Sequence, residues 1–203
     1  ALLLHAQEGG AIHGNFSTDG QLYNDDEQIG AVKPPQDFGL NAWGNLNYAN
    51  GDFRAGMRFE SYEPALVGYP AGHPYEGTGI GFRYATYTKD QLEVTLGNFY
   101  EQFGQGLAFR SYEERYLGVD NAMDGIRVKF QPDTGIYLKG FIGEQRAGFD
   151  GDAHNGFFNG AGIVRGIDGE IAITEAWPRL FPKWTEKGHN LIVGGSFVSK
   201  YQD

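Results

Sequence analysis

Hydrophobic and polar residues alternate along residues 38–63, and the alternation breaks once, at Asn50-Gly51. A period of two is typical of a β-strand with one apolar and one polar face. Asn and Gly both tolerate positive φ, so the pair predicts a type I′ turn and the segment a β-hairpin. The apolar positions are Leu40, Ala42, Leu46 and Tyr48 before the turn, then Phe53, Ala55, Met57 and Phe59 after it.

The same unit recurs along the chain, which predicts an all-β fold, an antiparallel up-and-down arrangement of about nine strands. In the second hairpin Ile80, Phe82 and Tyr84 form the predicted apolar set, with Arg83 and Glu93 opposite. The predicted strands are residues 11–23, 38–49, 52–63, 80–88, 92–100, 124–131, 136–145, 160–173 and 189–201. Residues 174–188 are predicted to form a short amphipathic helix or a loop.

Strand length and loop length favour a transmembrane β-barrel over the alternative, a soluble β-sandwich. Many predicted strands have about nine to eleven residues, the length with which a tilted strand crosses a bilayer, whereas soluble strands have about five or six. Short and long connections alternate, as in bacterial outer-membrane barrels. The short ones are 49–52, 89–91 and 132–135; the long ones are 24–37, 63–79, 101–123 and 146–159.

Aromatic residues near the short turns agree with a membrane interface, although aromatics also favour strands in general. They are Tyr48, Phe53, Tyr87, Phe130 and Tyr137.

Several longer motifs resemble an uncharacterised family of outer-membrane β-barrel proteins of Bacteroidota. They are Asn41-Ala42 with Asn45-Leu46-Asn47-Tyr48 and Asn50-Gly51, the run from Gly97 to Gly104, the run from Asp120 to Lys129, and Gly195 to Tyr201. The resemblance implies the fold and an outer-membrane location, but no activity. Single-chain bacterial barrels have an even number of strands, so residues 7–203 are expected to be the N-terminal part of a larger barrel.

The first residues, 1–6, resemble the remnant of a signal peptide, with cleavage after Ala6; an ordinary apolar N-terminus is the alternative. The net charge of −10 argues against nucleic acid as a partner. There is no cysteine, which excludes disulfides and thiolate sites.

Charged residues on the predicted strands are expected to line a lumen, because a charge facing lipid near the midplane costs roughly 2–4 kcal/mol. Eight such residues are predicted to line the lumen, and six of them are basic although the chain as a whole is acidic. The predicted lumen-lining residues are Arg54, Arg58, Glu60, Arg83, Glu93, Arg127, Lys129 and Lys139.

The long loop 101–123 is expected to fold inward and to set carboxylates against this basic wall as a constriction. Such an arrangement could select solutes by charge, or it could only compensate charge without throughput. The constriction residues are Glu101, Arg110, Glu113, Glu114, Arg115 and Asp120.

No enzyme motif is present, and no cofactor is predicted. The five histidines lack zinc-site spacing, and the serines lack a GxSxG context. Residues 150–156 resemble the start of a calcium loop but carry His154 and Gly156 at the wrong places, so a solvated loop is preferred and no metal is predicted.

The sequence thus predicts an exported outer-membrane barrel in contact with membrane lipid, working as a passive or gated channel for small polar or anionic solutes. The alternative is a binding or scaffold barrel whose surface loops dock a glycan, lipid or protein. Five loop tyrosines would suit such contacts: Tyr62, Tyr69, Tyr75, Tyr112 and Tyr116.

Overall fold

A computed structural model describes residues 9–69, 75–152, 156 and 158–202, and most of them lie in strands. The predicted all-β, antiparallel up-and-down sheet is confirmed. The signal-peptide remnant predicted at 1–6 lies outside the described residues. The strands are β1 Ala11–Leu22, β2 Phe38–Asn50, β3 Phe53–Tyr62, β4 Tyr75–Lys89, β5 Leu92–Phe99, β6 Glu113–Glu114, β7 Val119–Asp120, β8 Met123–Asp133, β9 Ile136–Asp150, β10 Phe158–Ala172 and β11 Ile192–Tyr201. The helices are α1 Ile173–Ala176, α2 Pro182–Glu186 and a 3₁₀ turn at Arg115–Leu117.

Nine strands form one sheet in the order β1-β2-β3-β4-β5-β8-β9-β10-β11, and β6 pairs only with β7. In the described part of the chain, β1 and β11 are the edge strands and do not pair with each other. The first turn differs from the expectation in detail. Asn50 pairs with Phe53, so Gly51 and Asp52 are the central residues, and only Gly51 has positive φ, at 54°.

The sheet is strongly curved. On a flat sheet, β3 and β9 would lie roughly 19 Å apart, because four spacings of about 4.8 Å separate them. The Arg146 side chain of β9 nevertheless reaches the Glu60 side chain of β3, with 2.6 Å between Nη2 and Oε2. Beyond the end of β8, β9 bends across and pairs in parallel with the start of β4, Phe149 opposite Tyr75. The sheet therefore has a concave face and a convex face.

The convex face is apolar and uncovered. Its large side chains keep 37% to 71% of their surface exposed. They are Ile12, Phe16, Leu46, Met57, Phe59, Ile80, Leu96, Ile126, Val128, Phe130, Leu138, Ile142, Ile167, Val193 and Phe197. Exposed apolar surface of this extent marks an interaction face rather than ordinary soluble surface.

A bulge at Gly81 changes the predicted faces of β4. Arg58 pairs with Phe82 and Phe59 with Ile80, so Gly81 is left between the two pairs. As a result Ile80 lies on the convex face as predicted, but Phe82 and Tyr84 lie on the concave face. Glycine is required at the bulged position, because a Cβ on Gly81 would come within 2.2 Å of the Glu60 carboxyl carbon.

Polar residues limit the apolar face on its long-loop side. Arg83 lies 3.8 Å from Asp124, and Asn159 donates a hydrogen bond to Glu144. Arg165 of β10, which pairs with Ile142, also lies on the convex face and is exposed. Between this belt and the short turn, the apolar side chains of the convex face are Ile126, Val128 and Phe130 on β8 and Leu138 and Ile142 on β9.

The hydrophobic cores lie on the concave side. One cluster contains Phe99, Phe103, Met123, Phe141 and Val164. The other contains Trp43, Tyr62, Tyr75 and Phe149. Within the described residues, no helix has the length and apolar character needed to span a membrane.

Candidate functional site

The connection between β5 and β8, residues 100–122, lies across the concave face and is called the inner segment here. Phe103 anchors it and is 1% exposed, with its ring centroid 5.3 Å from that of Phe141. A Cβ on Gly166 of β10 would lie 2.6 Å from the Phe103 ring, so the glycine permits this approach. Ala122, at the end of the segment, has no exposed surface.

Three guanidinium groups and three carboxylates form the first charged site, called the arginine cluster. Arg58 donates to Glu60 at 2.6 Å and to Glu113 at 2.9 Å. Arg146 donates to both oxygens of Glu60, at 3.0 and 2.6 Å. The members are Arg58, Glu60, Glu113, Arg115, Asp120 and Arg146. The cluster is formally neutral, which suits charges removed from water.

Asp120 joins the inner segment to two separate strands. Its Oδ2 accepts a hydrogen bond from Arg58 on β3 at 2.5 Å and one from Arg146 on β9 at 2.6 Å. Its Oδ1 accepts one from the Tyr100 hydroxyl at 2.9 Å. One carboxylate therefore connects both walls of the curved sheet.

Aromatic side chains complete the arginine cluster. The Tyr62 hydroxyl donates to Glu60 at 2.9 Å and accepts from Trp43 Nε1 at 3.1 Å. The Arg115 guanidinium lies over the Trp43 ring, 5.1 Å from its centroid. Buried ionised groups are tolerated only with such partners.

The second site also pairs three cations with three carboxylates and is called the lysine cluster. Glu101 of the inner segment is at its centre, 3.3 Å from Lys129 and 3.3 Å from Lys139. Lys139 also lies 3.6 Å from Asp168, which accepts a hydrogen bond from Ser196 at 2.5 Å. The members are Glu93, Glu101, Arg127, Lys129, Lys139 and Asp168.

The pKa of Glu101 is below its ordinary value of 4.5. Burial alone would raise it, but Lys129, the backbone N–H of Gln102, Lys139 and Arg127 together outweigh the burial. Glu101 is therefore held as a carboxylate.

Seven of the eight residues predicted for the wall share the concave face, and Arg83 does not. Arg83 pairs in register with Met57 and lies on the convex face beside Asp124, because the Gly81 bulge reverses the local alternation. Arg54 lies 3.7 Å from Glu93 and is 53% exposed along its side chain.

Of the six residues predicted for the constriction, three form ion pairs with the strands and three make contacts within the inner segment. Glu101, Glu113 and Asp120 contact cations of the strands. Arg115 pairs with Glu113 inside the segment. Arg110 lies over the Tyr112 ring at 4.5 Å, and Glu114 pairs through its backbone with Val119.

Arg146 and Asp168 were not predicted. The sequence predicts a loop at Arg146 because Gly and Asp follow it, yet β9 continues to Asp150 and buries the side chain completely. Asp168 belongs to a strand with blurred alternation, and only its pairing opposite Lys139 identifies it. The only hint of Arg146 in the sequence is the need of Glu60 for cationic partners once its carboxylate is buried.

The concave face is not covered uniformly. The inward residues of β1 are polar: His13, Asn15, Ser17 and Gln21 are exposed, and Asp19 is half-buried. A cavity of about 400 Å³ opens near the short turns beside the lysine cluster, and Asp90, Tyr137 and Glu170 contribute to its lining. An uncovered polar surface thus remains beside the inner segment.

The loop tyrosines differ from the expectation of exposed binding residues. Tyr62 and Tyr75 are buried in the aromatic core, and Tyr69 packs against it. Tyr112 and Tyr116 are exposed.

These features define an all-β protein with a curved antiparallel sheet, an apolar convex face and a charge-compensated concave face. The chain belongs to the DUF6029 family, a family of unknown function, whose model matches residues 2–203. No curated protein and no solved structure matches it.

Proposed function

We propose that this chain forms the wall of an outer-membrane β-barrel whose lumen is narrowed by the inner segment, and that small polar or anionic solutes pass beside that segment. The observation that carries the proposal is the distribution of side chains: the uncovered large apolar side chains lie on the convex face, and both ion-paired clusters lie on the concave face. In a bilayer this orientation buries the apolar face in hydrocarbon and keeps the charges away from it.

The proposed passage lies between the inner segment and the polar residues of β1. Most of the arginine cluster is closed to water, since the Arg146 and Glu60 side chains have no exposed surface. Among the side chains of the two clusters and Arg54 beside them, Arg54 and Lys129 are the most open to water, at 53% and 42% exposure. The carboxylates of Glu101 and Asp168 are almost covered, at 6% and 2%. This difference favours anions over cations of the same size.

Single-channel recording from purified full-length protein in planar bilayers tests the proposal. Discrete conductance steps are expected, with a reversal potential under a salt gradient that indicates anion preference. Lys129→Glu should move the reversal potential toward cations. Lys89→Glu, the same change at a turn outside the lumen, should leave it unchanged. A folded protein without conductance would refute the passage.

A second candidate is a closed barrel that acts as a scaffold or binding protein. The neutrality of the arginine cluster and the packing of Phe103 favour it, because a filled interior with balanced charges does not require the passage of solutes. The exposed Tyr112 and Tyr116 would then be available for a glycan or protein contact. Absence of conductance together with loss of partner binding in Tyr116→Ala would support this candidate.

A further inference from the structure

The connection between β10 and β11, residues 173–191, displays large apolar side chains that the sheet does not bury. Trp177 is 44% exposed, Leu180 70% and Trp184 45%. Phe181 and Leu191 are exposed beside them, and the Phe181 and Trp184 ring centroids are 5.9 Å apart. A two-residue turn would suffice to connect two antiparallel strands, so this length and composition call for an explanation.

The connection lies at the short-turn rim. A Cβ on Gly135, in the turn between β8 and β9, would be 2.8 Å from both the Ala172 oxygen and the Ala176 nitrogen. The connection is also closed at its base, where Thr174 donates to Asn190 at 2.5 Å and Ile173 N donates to Leu191 O at 2.9 Å. The exposed side chains are thus carried by an ordered element.

Cations accompany the aromatic side chains. Arg179, Lys183 and Lys187 lie in the connection with the two carboxylates Glu175 and Glu186, so this part of the chain is slightly basic although the whole chain carries −10. Indole rings together with basic residues are characteristic of the level where membrane headgroups meet the hydrocarbon. Basic residues there are attracted to anionic lipid.

We infer that residues 173–191 are an interfacial anchor that binds the lipid headgroup layer at the short-turn rim. This inference rests on the proposed barrel. The exposed apolar surface of Leu191 continues into Val193 and Phe197 on the convex face. Tyr48, Phe53 and Tyr87 mark the same rim on other strands, so the anchor extends an aromatic level that the sheet already has.

The distribution of tryptophan provides a direct test. The chain has three tryptophans, and Trp43 is buried on the concave side, 2% exposed. In vesicles of brominated phosphatidylcholine mixed with phosphatidylglycerol, emission is compared between the unmodified protein and Trp177→Phe/Trp184→Phe. The difference isolates the two exposed indoles, and the remaining emission of Trp43 is the internal control.

The two exposed indoles should lose a larger fraction of their emission than Trp43. The loss should be greater with bromine near the headgroup than with bromine near the end of the acyl chain. Insensitivity to both lipids, combined with quenching by aqueous iodide, would overturn the anchor and indicate a surface in water that a periplasmic protein could cover.

A fluorescent label at Met57→Cys, read in the same vesicles, separates this failure from failure of the barrel. Quenching at Met57 without quenching of the indoles would reject the anchor alone. Lack of quenching at both would reject the anchor together with the membrane orientation.

Discussion

Replacement of Arg146 by methionine should destabilise the protein more than any other arginine substitution on the sheet. The side chain has no exposed surface and donates five hydrogen bonds. They go to Glu60, Asp120 and the carbonyl oxygens of Gly81 and Gly148, so one residue links β3, β4, β7 and β9.

The expected loss follows from the partners that Arg146→Met would leave. Removal of one member of a buried ion pair costs about 3–5 kcal/mol, since the other charge stays buried. Arg58 still contacts Glu60 and Asp120, at 2.6 and 2.5 Å. We therefore expect the lower part of that range, about 3 kcal/mol or roughly a hundredfold in the unfolding equilibrium.

Guanidinium unfolding in detergent micelles, followed by circular dichroism, measures this loss. Arg54→Met is the matched control, because Arg54 lies on the same face but is 53% exposed, and exposed pairs contribute about 0–1 kcal/mol. Arg146→Met combined with Glu60→Gln restores neutrality, with two guanidinium groups and two carboxylates in the cluster. The double variant should thus lose less than the sum of the single losses.

The account of the arginine cluster would be wrong if Arg146→Met cost no more than Arg54→Met. It would also be wrong if the losses of Arg146→Met and Glu60→Gln simply added, since that would mean that the two groups do not interact.

Three further outcomes are expected. The pKa of Glu101 is lowered in the folded protein, so the Glu101 carboxylate contributes fully to stability above pH 4.5, and this contribution is lost as the pH falls through the folded pKa. When the free energy of unfolding is measured against pH, Glu101→Gln should therefore lose less stability in acid than the unmodified protein. Gly81→Ala should destabilise by about 1–3 kcal/mol, because its Cβ would overlap a buried carboxyl group, whereas Gly195→Ala, where a Cβ meets nothing within 4 Å, should be neutral in the same unfolding assay. Phe103→Ala should release the inner segment and so raise both the protease cleavage of that segment and the single-channel conductance. Leu107→Ala, which removes a side chain that is 97% exposed, should change neither. Equal cleavage of the two variants would exclude Phe103 as the anchor.

The strands could be predicted from local pattern because each has its own alternation and its own turn. Hairpins such as β2–β3 have contacts close in sequence, and turn residues such as Gly51 and Gly135 separate the strands. The inward position of the acidic inner segment could also be expected, because ionised residues of one sign on the strands require partners of the other sign.

The contacts that build the arginine cluster could not be predicted in the same way. Arg146 and Glu60 are 86 residues apart and meet only because the sheet curves and β9 bends toward β4 beyond the end of β8. The face of Arg83 depended on a single unpaired glycine, and an isolated glycine within a strand indicates a bulge without giving its register. The alternation of polar and apolar residues shows neither which distant strands meet nor where a bulge reverses the two faces of a strand.

The orientation of the sheet toward lipid is tested most directly by spin labels on adjacent residues. The chain has no cysteine, so Leu46→Cys, Met57→Cys and Asn45→Cys each give a single labelled site. Leu46 and Met57 lie on the convex face, and Asn45 lies on the concave face next to Leu46. In vesicles, labels at Leu46 and Met57 should be relaxed by oxygen dissolved in the bilayer and protected from a water-soluble nickel chelate, with the reverse at Asn45. Equal access of the nickel chelate to all three labels, or recovery of the native protein in the aqueous fraction without detergent, would contradict the membrane barrel and the functions proposed from it.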